Sequence, residues 1–386
     1  MDFDLSEEQR MMKANARDFL EREIVPQVND YERRGYSFTA EEGRSFIKQL
    51  MPFGYYIGQL PEEYGGSNLG HLDNGILMEE LARAWASLAG FILIASLGSQ
   101  VESSGSEELK KKVMPRIMAG DYIGAGAITE PDAGSDAAAM QTQAVLDGDE
   151  WVINGNKIWI SNGTIADGCS VLCITNREQG AMGISSILVE KEVSPYQARE
   201  LKHLGCNCFP TAELAFVDCR VPKANVLGDP TMGYKQTMYT FEIGRSTLAV
   251  MSVGMAQASI DAAITYARER KQFGRPIGSF QMIQELIVDM IAATEASRLL
   301  AYRAFDLIDK MERCRWQSSL AKAFACEQAV WTTSKAIQVH GAMGLSDEYP
   351  VERYFRDARM MTIPDGATQI QKLVMGREVI GIRAFT

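Results

Sequence analysis

Apolar positions recur at helical spacing along the first third of the chain. SEEQRMMKANARDFLEREIVPQV begins with Ser6, a candidate N-cap followed by acidic residues in the region of a capping box, and its apolar residues follow a period near 3.6. NGILMEELARAWASLAGFILIAS is richer in apolar residues and predicts a core helix. SEELKKKVMPRIMAG repeats the pattern of cap and helix and ends at Gly120. Residues 1–121 are therefore predicted to form an all-α domain.

The pattern changes near residue 122, where short runs of β-branched and aromatic residues are separated by turn residues. CSVLCIT, ISSILVEK and AELAFVDCRVP are predicted strands. EWVINGNKIWISNG contains Asn154-Gly155, a dipeptide typical of a β-hairpin turn. Residues 122–230 are therefore predicted to form an antiparallel β domain.

Helical spacing returns at residue 231 and persists. RSTLAVMSVGMAQASIDAAITYARER, FQMIQELIVDMIAATEASRLLAYRAFDLIDKM and WQSSLAKAFACEQAVWTTSKAIQVHG are long, Ala-rich and apolar on a wide face, as in helices that pack into a bundle. Where the apolar surface runs nearly all the way round, a second buried surface is expected, which indicates oligomerisation. Residues 231–386 are predicted to form a four-helix-bundle domain, and the fold class is α+β in the order helical, β, helical.

Composition and charge narrow the class of function. The net charge is −11 and the isoelectric point about 5.0, which argues against nucleic acid or an anionic membrane as the main partner. MDFDLSEEQR lacks the basic and apolar segments of a secretory signal, and the apolar run at 87–98 is too short to span a bilayer. Seven scattered cysteines are typical of a reducing compartment, and the cytoplasm is expected.

Two motifs are set aside by their context. His203, Cys206 and Cys208 lie close together in HLGCNC, but a metal site needs a fourth ligand and usually C-x-x-C spacing, so no metal is expected. GAGAIT (124–129) lacks the third glycine of a dinucleotide-binding fingerprint, and no convincing helix follows it.

Five segments combine glycine, hydroxyl groups and fixed charges, and each has a purely structural alternative. AITEPDAGSD can bind phosphate or a polar ring edge, or simply join two domains. Trp159 in KIWISNG is either a flat binding surface or a core tryptophan, and Arg270 in RERKQFGRPIGSFQ either grips a diphosphate or is a solvated helix end. Gly341 in QVHGAMG fits a helix C-cap, and Asp365 in TIPDGATQIQ fits a turn.

Together these segments resemble the acyl-CoA dehydrogenase family. TEPDAGSD, NGNKIWISN, RKQFGRPIGSFQ, QVHGAMG and EYPVERYFRD match successive motifs of that family in order, and the resemblance covers essentially all 386 residues. It implies an acyl-CoA substrate, FAD held non-covalently between subunits, a homotetramer, and an electron-transferring flavoprotein as electron acceptor. The order helical, β, helical is also the order of the family.

The resemblance also assigns contacts. It places at FAD the residues Ile128, Thr129, Gly134, Ser135, Trp159, Ile160, Ser161, Arg270, Gln272, Phe273, Gln281, Gln338, Gly341, Ala367, Thr368 and Gln369. It places at the acyl-CoA the residues Ser135, Phe91, Leu93, Phe241, Glu242, Arg245 and Gly366. Trp159 and Ser161 are expected to cover the flavin ring, while the segment at 270–273, together with Gln338 and Gly341, is expected to reach the FAD of a neighbouring subunit.

Asp365 falls on the family's catalytic glutamate, since IPDGATQIQ resembles the motif Y-E-G-T-x-x-I-Q. The resemblance implies that Asp365 removes the α-proton of the thioester while a hydride passes from the β-carbon to flavin N5. The chain departs from the motif, with Asp for Glu, Pro364 for an aromatic residue and Ala367 for Thr. Other family members carry the base at the position of Gly244, which cannot serve here, and Glu242 is a second candidate.

The same departures bear on the substrate and on alternatives. The segment 87–98, which lines the acyl pocket in the family, offers Phe91, Ile92 and Leu93 and no charge, so an apolar acyl group is expected. Loss of the aromatic residue before the base leaves room for a ring or a branch, as in cyclohexanecarboxyl-CoA. Two alternatives stay open: an enoyl-CoA reductase running the reverse reaction, and a flavin-binding homologue without catalysis.

Overall fold

The computed structural model describes residues 4–384, and its elements follow the order helices, sheet, helices, which confirms the predicted α+β class. Residues 1–3 and 385–386, at the ends of the predicted first and third domains, lie outside the described residues. The helices before the sheet are α1 (Glu7–Phe19), α2 (Val28–Arg33), α3 (Ala40–Leu50), α4 (His71–Ala84), α5 (Ala86–Ala95), α6 (Gly98–Ser104) and α7 (Glu107–Met118).

Capping residues define where the predicted helices begin. The Ser6 side chain accepts from the Gln9 amide at 3.1 Å, and the Gln9 side chain accepts from the Ser6 amide, so Gln9 closes the capping box where an acidic residue was expected. Ser106 caps α7 in the same way through the Leu109 amide. Gly120, with φ of +69°, follows the end of α7 as predicted.

The single core helix predicted from NGILMEELARAWASLAGFILIAS is instead two helices, α4 and α5, separated at Trp85. The backbone there is extended, with φ −160° and ψ 105°. This conformation turns the indole into the core, where it packs edge-on against Phe38 and donates from Nε1 to Glu32 at 2.7 Å. The helical hydrogen-bond pattern is thus interrupted at the residue whose side chain is buried in the core.

The middle of the chain forms a twisted sheet with its own apolar core. Its strands are β1 (Gly124–Ala127), β2 (Gln143–Asp147), β3 (Glu150–Ser161), β4 (Gly168–Ile174), β5 (Ile184–Glu190), β6 (Gln197–Glu200), β7 (Thr211–Pro222) and β8 (Val226–Leu227). Their order is β6-β7-β3-β2-β4-β5-β8, with β1 paired to β4. The predicted antiparallel pairing is confirmed for most neighbouring strands, but β1 and β2 both run parallel to β4.

The hairpin predicted at Asn154-Gly155 is also wrong, since both residues lie inside β3. The chain turns at 148–149. Asn154 exchanges hydrogen bonds with Asp218 on β7 and does not close a turn. Gly155 sits at a bulge where a Cβ atom would collide with the side chain of Thr142. Close approach of two strands, and not a turn, requires glycine here.

After the sheet come three long helices, a small hairpin and two shorter helices. They are α8 (Gly233–Glu269), β9 (Lys271–Gln272), β10 (Arg275–Pro276), α9 (Gln281–Asp309), α10 (Arg315–His340), α11 (Val351–Met361) and α12 (Thr368–Ile380). The helices α8, α9 and α10 pack on one another, and α4 packs on α8, so one apolar cluster joins the first and last parts of the chain.

Two segments have the length and apolar composition of a membrane span, Ala86–Ser104 and Gly233–Glu269. Their most apolar windows are 61% and 78% buried inside the protein. The first segment comprises α5, a break at Ser96 and Leu97, and α6, while the second is α8, and both lie mostly in the protein core.

Candidate active site

Asp365 lies in the turn between α11 and α12. Its φ is 53° and that of Gly366 is 92°, so two successive residues have the left-handed conformation that Asp and Gly tolerate best. The amide of Thr368, the first residue of α12, donates to the carbonyl of Thr362 at 3.2 Å and closes the loop. The turn interpretation of this tripeptide is thus confirmed, and the turn serves to present the acid.

Three side chains hold this turn by its carbonyl oxygens. Lys322 on α10 donates from Nζ to the Gly366 carbonyl at 2.6 Å. Gln371 on α12 donates from Nε2 to the carbonyls of Asp365 and Gly366 at 2.9 and 2.7 Å. Arg245 on α8 donates from Nε to the Asp365 carbonyl at 3.3 Å. All of these bonds go to the backbone, so the turn is fixed while the carboxylate of Asp365 is left available.

The carboxylate of Asp365 faces α8 at Gly244. A Cβ atom at position 244 would stand 2.5 Å from Oδ2, so the acid occupies space that only glycine leaves open. Across residues 4–384, no hydrogen bond reaches either carboxylate oxygen. Burial raises the pKa of Asp365, and the charges of Lys322 and Arg245 oppose that rise. A half-buried carboxylate with raised pKa and a free lone pair can accept a proton from a ligand.

Glu242, the second candidate base, is already paired. Its Oε1 accepts from Nε of Arg315 at 3.3 Å, and the thiol of Cys314 lies 3.9 Å from its Oε2. Arg245 is buried one turn away, its guanidinium 5.9 Å from the ring centroid of Phe241. Burial lowers the pKa of Arg245, and the neighbouring acids counter part of that effect. The geometry favours Asp365 over Glu242 as proton acceptor.

The loop 128–136 and the end of β3 form one surface. The Ile158 amide donates to the Thr129 carbonyl at 2.9 Å. The buried Lys157 ammonium lies between the Ile128 carbonyl at 3.0 Å and a Glu130 carboxylate oxygen at 2.8 Å. Burial pushes the pKa of Glu130 up, but its bonds with Lys157 and nearby amides bring it below the usual value. This ion pair ties the loop to the strand that carries Trp159.

Trp159 lies on the outside of that strand. It is 56% exposed with φ of +61°, so the interpretation as a core tryptophan is wrong. Beside it Ile160 is buried and Ser161 half-buried, while Gly134 and Ser135 are exposed on the neighbouring loop. In the described part of the chain, no atom beyond its two chain neighbours lies within 4 Å of where a Gly134 Cβ would be. An exposed indole beside an open loop with hydroxyl groups can hold a flat ring with polar edges.

A second group of predicted residues meets at the other end of the helices. Tyr266 near the end of α8 stacks on His340 at the end of α10, with ring centroids 4.4 Å apart. This contact brings the β9–β10 hairpin and the start of α9 toward the C-terminal end of α10. Phe273 at the tip of the hairpin is 91% exposed. Also exposed in this group are Arg270, Gln272, Gln281, Gln338 and Gly341.

The structure does not bring this second group to Asp365 within one chain. Lys322, which holds the Asp365 turn, and His340 are about 18 residues apart on α10, or about 27 Å at the helical rise. Arg245 and Glu269 are separated by about 36 Å on α8 by the same measure. The two groups therefore belong to opposite ends of the same helices.

The remaining predicted residues are divided between the site and the core. Phe91 is fully buried, and its ring packs against Phe38 in the N-terminal core, with centroids 5.7 Å apart. Leu93, further along α5, is half-buried. Thr368 is buried and donates from its hydroxyl to Glu327 at 2.6 Å, while Ala367 is half-buried and Gln369 exposed.

Sequence reasoning missed three residues that shape the site: Lys322, Gln371 and the role of Gly244 as space for the acid. Gln371 lies at the end of the motif that drew attention to Asp365, and Lys322 is a cation within an Ala-rich apolar helix. A charge at such a position is a detectable signal, because a buried ammonium requires partners. The contact at Gly244 had no signal, since it depends on packing of distant segments.

Models of three domains of one family match the chain in order. They are acyl-CoA dehydrogenase N-terminal domain at residues 6–121, middle domain at 125–219 and C-terminal domain at 231–380. The chain belongs to the acyl-CoA dehydrogenase family. It is therefore an oxidoreductase of the FAD-dependent class that acts on CoA thioesters, and its order of helical, β and helical parts is the family's fold.

Individual relatives agree over the whole length. The acyl-CoA dehydrogenase sequence is 38% identical over 389 residues to a probable acyl-CoA dehydrogenase of Bacillus subtilis, covering 98% of this chain and 100% of the relative. A solved glutaryl-CoA dehydrogenase with glutaryl-CoA superposes with a TM-score of 0.93 at 37% identity, covering 99% and 98%. A structure described as the electron transferring flavoprotein of Acidaminococcus fermentans gives 0.93 at 36%, covering 98% and 100%.

FAD fits the residues present. The exposed indole of Trp159 and the open loop through Gly134 and Ser135 suit a flat ring with polar edges, and the basic, exposed β9–β10 hairpin suits a phosphate-bearing group. Among the described residues, no cluster of His, Cys, Asp and Glu could hold a metal ion.

Proposed function

We propose that this acyl-CoA dehydrogenase catalyses α,β-dehydrogenation of an acyl-CoA thioester, with Asp365 as the base. The observation that carries the proposal concerns the carboxylate of Asp365, which faces Gly244 and receives no hydrogen bond from residues 4–384. The turn that carries it is held through its backbone carbonyls by the side chains of Lys322 and Gln371. FAD supplies the acceptor for the hydride that leaves the β-carbon, at flavin N5.

The chemistry explains why such an acid is needed. The α-proton of a thioester is weakly acidic, so its removal requires a base within hydrogen-bond reach and a site that stabilises the enolate. Burial raises the pKa of Asp365 and makes it a stronger base than an exposed aspartate, while the charges of Lys322 and Arg245 oppose that rise and favour the carboxylate form. The rigid turn holds its carboxylate in one place, which supports proton transfer from a bound α-carbon.

Binding roles are proposed for these residues from the family resemblance. Trp159 and Ser161 would cover the flavin ring, and the segment from Ile128 through Ser135 would bind its edge and phosphates. Arg245, together with Phe241 and Glu242, would bind the CoA moiety. Ala367, Thr368 and Gln369 would contact the adenosine side. These assignments are supported by the exposed indole and open loop.

We further infer that the FAD site is shared between copies of the chain in a homotetramer. The separation of about 27 Å along α10 supports this, because the group around Phe273 and Gln338 is too far from Asp365 to bind the same end of one FAD molecule. Exposure of 91% for Phe273 in the single chain supports a partner surface there. An electron-transferring flavoprotein is the proposed electron acceptor, and the cytoplasm the proposed location.

The proposed acyl group is apolar and either cyclic or branched, with cyclohexanecarboxyl-CoA as an example. No charged residue occurs in α5, which contrasts with the second carboxylate of the glutaryl group bound by one relative. Leu93 contributes to the pocket, whereas Phe91 acts only from the core behind it. Turnover of butyryl- or octanoyl-CoA far above any ring substrate would reject this choice.

The deciding experiment is anaerobic bleaching of the bound flavin with a panel of acyl-CoA thioesters, repeated for Asp365→Asn. We expect a loss on the order of 10²-fold or more in the reduction rate, matching the general-base contribution. Asp306→Asn, an exposed acid on α9, is the matched control. An unchanged rate in Asp365→Asn would favour another base. Absence of bleaching by any thioester would favour the non-catalytic alternative. The reductase alternative is tested by the potential of the electron partner.

A further inference from the structure

Within residues 4–384, Lys322 is a buried cation with no carboxylate at ion-pair distance. It lies on the Ala-rich face of α10 at 1% exposure. Its ammonium donates to the Gly366 carbonyl at 2.6 Å and lies 3.5 Å from the Thr362 carbonyl, both in the turn that presents Asp365. In the part of the chain that the structure describes, no acid comes within ion-pair distance of it. Burying an ammonium against neutral carbonyls alone costs free energy, so the presence of a lysine at this position needs an explanation.

We propose that Lys322 is a positioning residue for the reaction, which fixes the turn of Asp365 and keeps its carboxylate ionised for proton abstraction. This inference rests on the proposed function of Asp365 as the base. The two effects come from one group, because the ammonium that donates to the Gly366 carbonyl also acts through its charge on the carboxylate of the adjacent residue, from beyond ion-pair distance. Arg245 approaches the same turn from α8, but it donates only to the Asp365 carbonyl at 3.3 Å.

The charges around the acid support this role. Burial has the largest effect on the pKa of Asp365 and raises it. Lys322 and Arg245 both lower this pKa, and the effect of Lys322 is the larger. Burial lowers the pKa of Lys322 itself, while Asp365 helps to keep it protonated. The other titratable or charged groups that face this region are Glu242 and Arg245 on α8, Arg315, Cys326 and Glu327 on α10, and Arg359 on α11.

Removing the charge leaves the turn with other supports. Gln371 donates to the Gly366 carbonyl at 2.7 Å and to the Asp365 carbonyl at 2.9 Å, and neither bond involves Lys322. A Lys322→Gln variant keeps a donor of shorter reach without the charge. Lys322→Arg keeps the charge with a different shape. The pair therefore separates electrostatics from packing.

The first test is the pH dependence of flavin reduction in the holoenzyme. In Lys322→Gln the pKa of Asp365 rises further, so the acid limb of the rate profile moves to higher pH. In Lys322→Arg the limb stays near that of the unmodified protein. Lys310→Gln, an exposed lysine paired with Asp306, is the control and leaves the limb unchanged. A limb that does not move in Lys322→Gln, or moves equally in Lys322→Arg, overturns the proposal.

The second test needs no turnover. Thermal unfolding of the holoenzyme is followed against pH for the unmodified protein and for Asp365→Asn, each with and without the Lys322→Gln change. A raised folded pKa gives stability that is lost as pH rises through that pKa. The melting temperatures of the proteins with Asp and with Asn at position 365 differ by an amount that depends on pH. The pH at which this difference in melting temperature changes is expected to be higher in the Lys322→Gln background. An equal pH in both backgrounds overturns the role of Lys322.

The two proposals fail separately. Flavin reduction that survives Asp365→Asn would overturn the base assignment, whatever the unfolding midpoints show. If Asp365→Asn is inactive, but the pH at which the difference in melting temperature changes is the same with and without Lys322→Gln, only the role of Lys322 is overturned. If Lys322→Gln does not yield folded protein, the Lys322→Arg variant decides, because a displaced acid limb in that variant contradicts a role based on charge.

Discussion

The contact between Asp365 and Gly244 allows a sharp test of the site. A Gly244→Ala change adds a Cβ atom 2.5 Å from Oδ2 of Asp365, whereas ordinary contacts begin near 3.4 Å. The carboxylate must therefore move by about 0.9 Å. It cannot move with its turn, since Lys322 and Gln371 hold the carbonyls, so the side chain alone must rotate away.

The expected result is a large kinetic effect with little structural change. A displacement near 1 Å costs on the order of 10²-fold in proton transfer. We expect flavin reduction by the best thioester to slow by about that factor, with FAD content and melting temperature close to those of the unmodified protein. Alanine is also the better helix former, which offsets part of the strain. The assay is anaerobic stopped-flow absorbance of the flavin.

The control is Gly376→Ala on α12, where no atom of the described residues packs within 4 Å of the added atom. This variant is expected to reduce its flavin at the normal rate. A Gly244→Ala enzyme that is equally fast would refute the reasoning, because the acid would then tolerate the displacement or would not be the reacting group. Loss of FAD from Gly244→Ala would refute the claim that the contact concerns only the base.

Three further outcomes are expected. Burial and the nearby Glu32 raise the pKa of Asp357 to about 7, so the stability that this group contributes is lost as pH rises through that value. Asp357→Asn should therefore flatten the dependence of the melting temperature on pH. Phe273→Ser should weaken assembly and FAD retention, seen by light scattering and flavin absorbance; a fully assembled yellow variant would count against the shared site. Lys157→Met leaves Glu130 buried without its cation and should reduce the free energy of unfolding by about 3–5 kcal/mol, measured with urea, while a loss below about 1 kcal/mol would argue that the pair is dispensable.

Local signals in the sequence predicted the elements whose causes are local. The cap at Ser6 and the long apolar faces of α8 to α10 needed no knowledge of distant residues. The hairpin at Asn154-Gly155 failed because a glycine demanded by strand packing looks the same in sequence as one demanded by a turn. The break at Trp85 was missed because it comes from the burial of one side chain among distant rings.

The candidate site divides in the same way. Asp365 was identified from its motif, and its turn follows from Pro-Asp-Gly chemistry. The neighbours that give the acid its properties come from α8 and α10, which are far away in sequence. No pattern near position 365 could indicate that Gly244 makes room for it. A short motif is therefore enough to find the residue that we propose as the base, whereas long-range packing decides its surroundings.

The length of α10 has a consequence for how activity depends on protein concentration. One end of the helix supports the acid and the other carries the surface proposed to reach a neighbour's cofactor, about 27 Å away. An isolated copy would then contain half of each of two different sites and neither site in full. On dilution, catalysis should vanish with subunit dissociation and before unfolding, and a copy damaged at one end should impair its neighbour as well as itself.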